Sequence, residues 1–241
     1  MLYLSLVVLI PLAAVTVKAI SSGVGTFWSS IDNTLAIRAL AITLGASLIV
    51  AAIGAVMGTL VAWVLVRDSF PGKRFVNALI DLPFALPTIV AGLTLIALYG
   101  PGSPVGIHLA YTRAAVIVAL LFVTLPFVVR SVQPVLIELD REVEEAAASL
   151  GASNATTFRR VVLPALRPAI FSGAALAFAR SIGEFGSLAL IAGKVQIASI
   201  VIYADIESGS EQSAAALSVV LMVLALVVLF GLRRIGARVG H

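Results

Sequence analysis

A chain of 241 residues that is 61% hydrophobic and only 12% charged, with a mean hydropathy of +1.13, lies far from the roughly 25% charge of a soluble domain. It reads as an integral membrane protein, all-α, with one domain over 1–241. The net charge of +4 comes without a basic run interleaved with aromatics, which argues against nucleic acid. There is no cysteine, and His108 and His241 lie far apart, which argues against disulfide, thiolate and histidine-metal chemistry.

A spanning helix needs ~20 mostly apolar residues, and the sequence predicts six spans. The first covers Leu2–Val17. It starts without a basic region, which argues against a signal peptide and suggests that some N-terminal residues are missing. Residues 18–37 read as a polar connection. Ala39–Val66 is the second span, long enough to tilt. Its Gly54-x-x-x-Gly58 pair reads as helix packing, and Trp63 sits where an interfacial aromatic would. After the basic turn Arg67–Arg74, the third span covers about Val76–Leu98. Pro83 and Pro87 leave carbonyls there without helical partners. They mark either a kinked packing helix or a flexible segment beside a pathway.

Tyr99–Arg113 is a loop, and Ala114–Val129 is the fourth span. A polar island follows from Arg130 to Arg167. Within it, Asp140–Leu150 has good helix formers and acids in its first turns. Gly151 should stop that helix. Ser153 or Asn154 can cap a second short helix, which Leu163-Pro164 is expected to end. Two short helices at a sharp angle form a knob that another protein could grip; an ordinary loop is the plain alternative. The fifth span is expected over Pro168–Ala192, an acidic connection over Lys194–Glu211, and the sixth span over Ser213–Leu232.

Charge placement gives an orientation. Arg67, Lys73 and Arg74, then Arg130, Arg141, Arg159, Arg160 and Arg167, then Arg233, Arg234 and Arg238 make eleven of the 16 basic residues, all on one side of a six-span chain. Basic loops stay in the cytoplasm, so the island and both termini are expected there. The other connections hold Lys18, Arg38, Arg113 and Lys194, all near span ends.

Arg180 lies within the fifth span. A charge at the bilayer centre costs roughly 2.5–3.5 kcal/mol on insertion scales. Glu184, four residues on, shares its helix face and can pair with it. The pair either locks this helix to its neighbours or sets Arg180 on an anion pathway with Glu184 limiting its field. No phosphate-binding loop exists, since Gly72-Lys73 and Gly193-Lys194 lack the first glycine and the following Ser or Thr. No metalloprotease or nucleophile-elbow motif is present either. The chain is therefore expected to be no enzyme, with its energy drawn from a partner or an ion gradient.

The island also carries a longer pattern. Glu145-Ala146-Ala147, three residues, Gly151, nine residues, Val161, one residue, then Leu163-Pro164 resembles the loop by which permease subunits of bacterial ABC importers insert into a cleft of the ATPase. Val161 stands where that family often has Ile. Ala179-Arg180-Ser181-Ile182-Gly183-Glu184-Phe185-Gly186 is similar to a stretch of the sulfate and molybdate permeases. Asp81–Thr88 with Ala91-Gly92, and Glu138–Glu145, are similar to the sulfate/thiosulfate branch and its T-type subunits. The resemblance covers about 34–235. It implies the type I importer transmembrane fold in the inner membrane, with 130–167 as the coupling loop. Glu145, Ala146 and Ala147 would be the docking face, Gly151 the bend, and Leu163-Pro164 the return to the membrane.

It also implies two ABC ATPase subunits that bind ATP and Mg, a second similar permease subunit, an extracytoplasmic sulfate-binding protein and membrane lipid. No cofactor is implied in this chain. Molybdate or tungstate import is the near alternative. An ion-coupled secondary transporter is a more distant one, against which the island argues.

Overall fold

The computed structural model describes residues 5–239. Residues 2–4 of the expected first span lie outside them. After a π-helical turn at Ser5–Leu9 come α1 (Ile10–Ile20) and α2 (Val24–Ile31). Leu6–Ile20 and α2 are bent by 92° at Gly23, whose φ of +99° only glycine adopts cheaply. The expected polar connection over 18–37 is thus corrected. It holds α2 and the start of the next helix, because Phe27, Ile31 and Ala19 pack together against Ala215 and Ala216 of the last helix.

α3 (Thr34–Arg67) runs for 34 residues. The Asn33 side chain caps it by accepting from the Ala36 N–H at 2.8 Å. α4 (Lys73–Ala85) and α5 (Thr88–Tyr99) are bent by 118° across Leu86-Pro87. Pro87 has no N–H to continue a helix and forces extended backbone on Leu86, whose ψ is +134°. Pro83 lies inside α4 instead of at the break.

α6 (Arg113–Glu138) absorbs both Pro126 and Pro134. The expected boundary at Arg130 is therefore corrected: Arg130–Glu138 is the end of a membrane-length helix, and the loop proper begins at Leu139. The polar residues there misled because they bond sideways to α4. Arg130 donates to both carboxylate oxygens of Asp81, at 2.7 and 2.6 Å, to the Asn77 side chain at 2.9 Å, and to Gln133.

α7 (Arg141–Ser149) and α8 (Asn154–Thr157) lead through a π-helical segment, Phe158–Val162, into α9 (Leu163–Ile182). Leu163-Pro164 does not end the second short helix. Asn154–Ile182 is one continuous helical run of 29 residues. Pro164 sits in the first turn of α9. Its missing N–H and its ring are accommodated by the wider π turn just before it. The expected fifth span is also corrected, because α9 stops at Gly183 and the chain restarts as α10 (Gly186–Ile191). The acidic connection contains α11 (Ala198–Glu207), and α12 (Glu211–Val239) is the last helix.

The described residues contain no strand, and the protein is an all-α membrane protein. Four helices are long and apolar enough to cross a bilayer, and six segments are if each bent pair counts as one. Glycines set the closest packing. A Cβ at Gly58 of α3 would lie 2.7 Å from the Val128 Cβ of α6, and one at Gly173 of α9 would lie 2.8 Å from the Val128 Cα. Three helices thus meet around one fully buried valine. Leu136, Val162, Leu166 and Leu65 extend that core towards the elbow described next.

Candidate functional site

The elbow consists of α7, the turn at Gly151, and α8. Asp140 starts it, its carboxylate accepting from the Glu142 N–H at 3.1 Å. At the other end the Ala152 N–H reaches the Ala147 carbonyl at 3.1 Å and the Gly151 N–H reaches Ala148 at 2.9 Å. This paired pattern ends a helix on a left-handed residue, and Gly151 supplies it with φ +84°. Ser153 then caps α8, its hydroxyl accepting from the Thr156 N–H at 3.3 Å. The chain passes from one short helix to the next within four residues because these bonds satisfy backbone groups that the two helix ends leave free.

Glu145 and Ala146 are exposed on α7, and Ala147 is half-buried. Leu150, 89% exposed, is the protruding apolar tip. Arg159 and Arg160 are exposed on the second arm. Leu163 is half-buried and Pro164 exposed where that arm joins α9. An apolar tip with flanking charges of both signs suits a protein cleft better than free solvent.

The elbow is fastened to α3. Arg67, the last residue of α3, donates to the Leu139 carbonyl at 2.9 Å and to the Glu144 carboxylate at 2.6 Å. Their side chains are only 10% and 20% exposed. Arg141 returns a hydrogen bond to the Arg67 carbonyl at 2.6 Å. Trp63, one turn earlier, meets Phe158 of the second arm edge-on at 5.3 Å between ring centres. The elbow is therefore tied to α3 by the Arg67 clamp, to α6 through Leu139, and to α9 by unbroken helix.

Sequence reasoning counted Arg67 only as a loop charge, since its partner is 77 residues away and no local spacing reveals it. Leu150 was likewise passed over. An isolated Leu before a helix-ending glycine carries no signal until its exposure is known.

Arg180 and Glu184 do pair, at 2.7 Å, with side-chain exposures of 33% and 1%. The other Glu184 oxygen accepts from both the backbone N–H and the hydroxyl of Ser187, each at 2.9 Å, and so holds the start of α10. Glu184 is thus fully engaged, while Arg180 keeps an open side. The break at Gly183–Phe185 also packs on the break at Leu86-Pro87. A Cβ at Gly186 would collide with the Thr88 hydroxyl, and one at Gly92 would lie 2.7 Å from the Ser187 carbonyl. Two interrupted spans therefore cross at their interruptions, beside the buried ion pair.

The sequence matches, over residues 54–241, the family described as binding-protein-dependent transport system inner membrane component. This chain belongs to that family. Among relatives of the permease, the sulfate transport system permease protein CysT of Synechococcus elongatus is 43% identical over 239 residues, 95% of this chain and 86% of that protein. The protein of the same name from Salmonella typhimurium is 40% identical over 252 residues, 100% of this chain and 91% of its own length.

Solved structures share the permease's fold. A bacterial alginate ABC transporter, in complex with an alginate pentasaccharide-bound periplasmic protein, superposes with a TM-score of 0.83 at 17% identity, covering 99% of this chain and 91% of that one. The MetNI methionine ABC transporter in an inward-facing form gives 0.70 at 22% identity, covering 86% and 97%. At such identities the likeness is one of fold alone.

Proposed function

We propose that this permease is a transmembrane subunit of an ATP-driven importer for sulfate and thiosulfate, working by alternating access. The elbow carries the proposal: a shaped, partly apolar protrusion on a chain whose sequence has no phosphate-binding loop. Partner ABC ATPases bind ATP and Mg and grip Glu145, Ala146, Ala147 and Leu150. Gly151 supports the bend, and Leu163-Pro164 passes the motion into α9. A second, similar permease subunit and an extracytoplasmic sulfate-binding protein complete the machine. The elbow and both termini face the cytoplasm, as the placement of basic residues favours.

The geometry supports a specific transmission. ATPase closure displaces the elbow. The clamp at Arg67, the link at Leu139 and the continuous run Asn154–Ile182 carry α3, α6 and α9 together. Close packing around Val128 makes those three helices move as one body. The crossing of the two interrupted spans lies along the flank of that body, just past Phe84, which meets Phe127 near the middle of α6 at 5.0 Å between ring centres. There a change in backbone geometry at Leu86-Pro87 or Gly183–Phe185 costs less than bending a whole helix. Arg180 faces the dianion on this pathway and Glu184 holds it in place. Sulfate is strongly hydrated and a bilayer excludes it, so a charged, protein-lined route is required.

Uptake of labelled sulfate by vesicles holding the reconstituted importer tests the proposal. Uptake should need ATP inside and be competed by thiosulfate. Strong inhibition by molybdate with none by unlabelled sulfate would move the assignment to molybdate and tungstate. Dependence on an ion gradient instead of ATP would remove the ATPase altogether.

A further inference from the structure

Four basic residues go against the charge bias by lying near the opposite ends of the spans: Lys18, Arg38, Arg113 and Lys194. Lys18 is satisfied by Glu211 at 2.8 Å. The other three form no ion pair among the described residues. All three line one cavity of about 360 Å³. Ile42 and Gln196 also line it, and Gln196 adds a neutral polar group.

Three elements converge to build it. Arg38 lies in the second turn of α3, and Arg113 is the first residue of α6. Both cations thus sit near helix N-termini, where the backbone already presents positive partial charge. Lys194 follows the end of α10, which Tyr111 ties to the segment just before Arg113. The Tyr111 N–H donates to the Ile191 carbonyl at 2.9 Å, and its side chain fills the space a Cβ would need at Gly193, 2.8 Å away. Tyr111 is also the one non-glycine residue with positive φ, +68°, among those described. All three cations are exposed at the hollow, and together with the two helix starts they make its local potential positive and favour an anion there.

We propose that Arg38, Arg113 and Lys194 form an extracytoplasmic binding site for a tetrahedral oxyanion, supplied either by free sulfate or by the phosphate of a lipid headgroup. Such an ion presents acceptors in several directions, which suits donors arriving from three separate elements. The placement on the outer face rests on the orientation given above. Free sulfate held there would be collected before it enters the pathway. A bound headgroup would anchor the outer ends of α3 and α6.

The chain lacks cysteine, so Gln196→Cys gives a single thiol in the cavity wall. In right-side-out vesicles holding the whole importer, a membrane-impermeant maleimide should label it from outside. Labelling from the inner face alone overturns the orientation and this site, while ATP-dependent sulfate uptake still reports on the transport function separately. Labelling rates are then compared in sodium sulfate and in sodium chloride of equal ionic strength. They are also compared in phosphatidylcholine vesicles with and without phosphatidylglycerol.

Slowing of threefold or more is expected, from sulfate if the free ion binds and from phosphatidylglycerol if a headgroup does. Arg38→Gln/Arg113→Gln/Lys194→Gln should abolish it, and Arg38→Lys/Arg113→Lys/Lys194→Arg should retain it. Equal rates under all conditions, or equal slowing in the neutral triple variant, overturn the proposal.

Discussion

Glu144→Ala tests the transmission directly, because it cuts the clamp without touching the exposed face of the elbow. The Arg67–Glu144 contact is 2.6 Å long between side chains 10% and 20% exposed. Removing one partner of a fully buried pair costs about 3–5 kcal/mol, since the other charge is left uncompensated. Residual exposure of both groups places this one at the low end, about 3 kcal/mol, or roughly 100-fold in the ratio of clamped to unclamped elbow. Sulfate moved per ATP hydrolysed should therefore fall at least tenfold in reconstituted vesicles, while ATPase assembly persists.

The double variant Arg67→Met/Glu144→Met leaves no orphan charge and should recover part of the loss. A double-mutant cycle on that coupling ratio, built from Arg67→Met, Glu144→Met and the two together, should give an interaction of about 2 kcal/mol, well above the roughly 0.2–1 kcal/mol of exposed pairs. The cycle cancels the separate loss of the bond from Arg67 to the Leu139 carbonyl. A value below about 0.5 kcal/mol, or an unchanged coupling ratio in Glu144→Ala, would refute the transmission through α3.

Gly151→Val should uncouple transport and Gly151→Asn should not: φ is +84° and no atom lies within 4 Å of a Cβ there, so the penalty is conformational, about 1–2 kcal/mol for most residues and little for Asn. Equal uptake by the two variants would remove the backbone argument. Leu150→Ser should leave the thermal stability of the isolated permease unchanged yet release the ATPases during purification in mild detergent, because the side chain is 89% exposed and packs on nothing in this subunit. Gly58→Ala should destabilise the permease by about 1–3 kcal/mol through overpacking on Val128, and Val128→Ala should partly restore it, as read from thermal aggregation in detergent. Because Arg180 faces the dianion, Arg180→Ala and Arg180→Ala/Glu184→Ala should impair uptake alike; a milder loss in the double variant would mean that Arg180 only neutralises a carboxylate that is 1% exposed.

The membrane class, the long apolar helices and the existence of the elbow were legible in the chain because each rests on local chemistry. An apolar run of ~20 residues, a glycine past a helix end and a capping serine act within a few residues of themselves. The errors arose where neighbours overruled local signals. Pro164 reads as a stop, yet the π turn at Phe158–Val162 lets the helix run through it. Arg130 reads as a loop residue, yet Asp81 and Asn77 satisfy it on the flank of a helix. Residues 24–31 read as a polar connection, yet Phe27 and Ile31 find the last helix.

By itself, then, the sequence determined what this permease is made of: apolar helices, an uneven placement of basic residues, and a polar elbow bent at a glycine. Only the tertiary structure decided how the elbow is held and where the unmatched charges go. Arg67 and Glu144, or Arg38, Arg113 and Lys194, are brought together by packing between helices far apart in the chain. Side-chain partners of that kind leave no period or spacing behind, because their meeting is fixed by contacts between distant segments, at Gly58, Val128 and Gly173 for the helices that hold the elbow and at Tyr111 and Gly193 for Lys194, and not by any short stretch of residues.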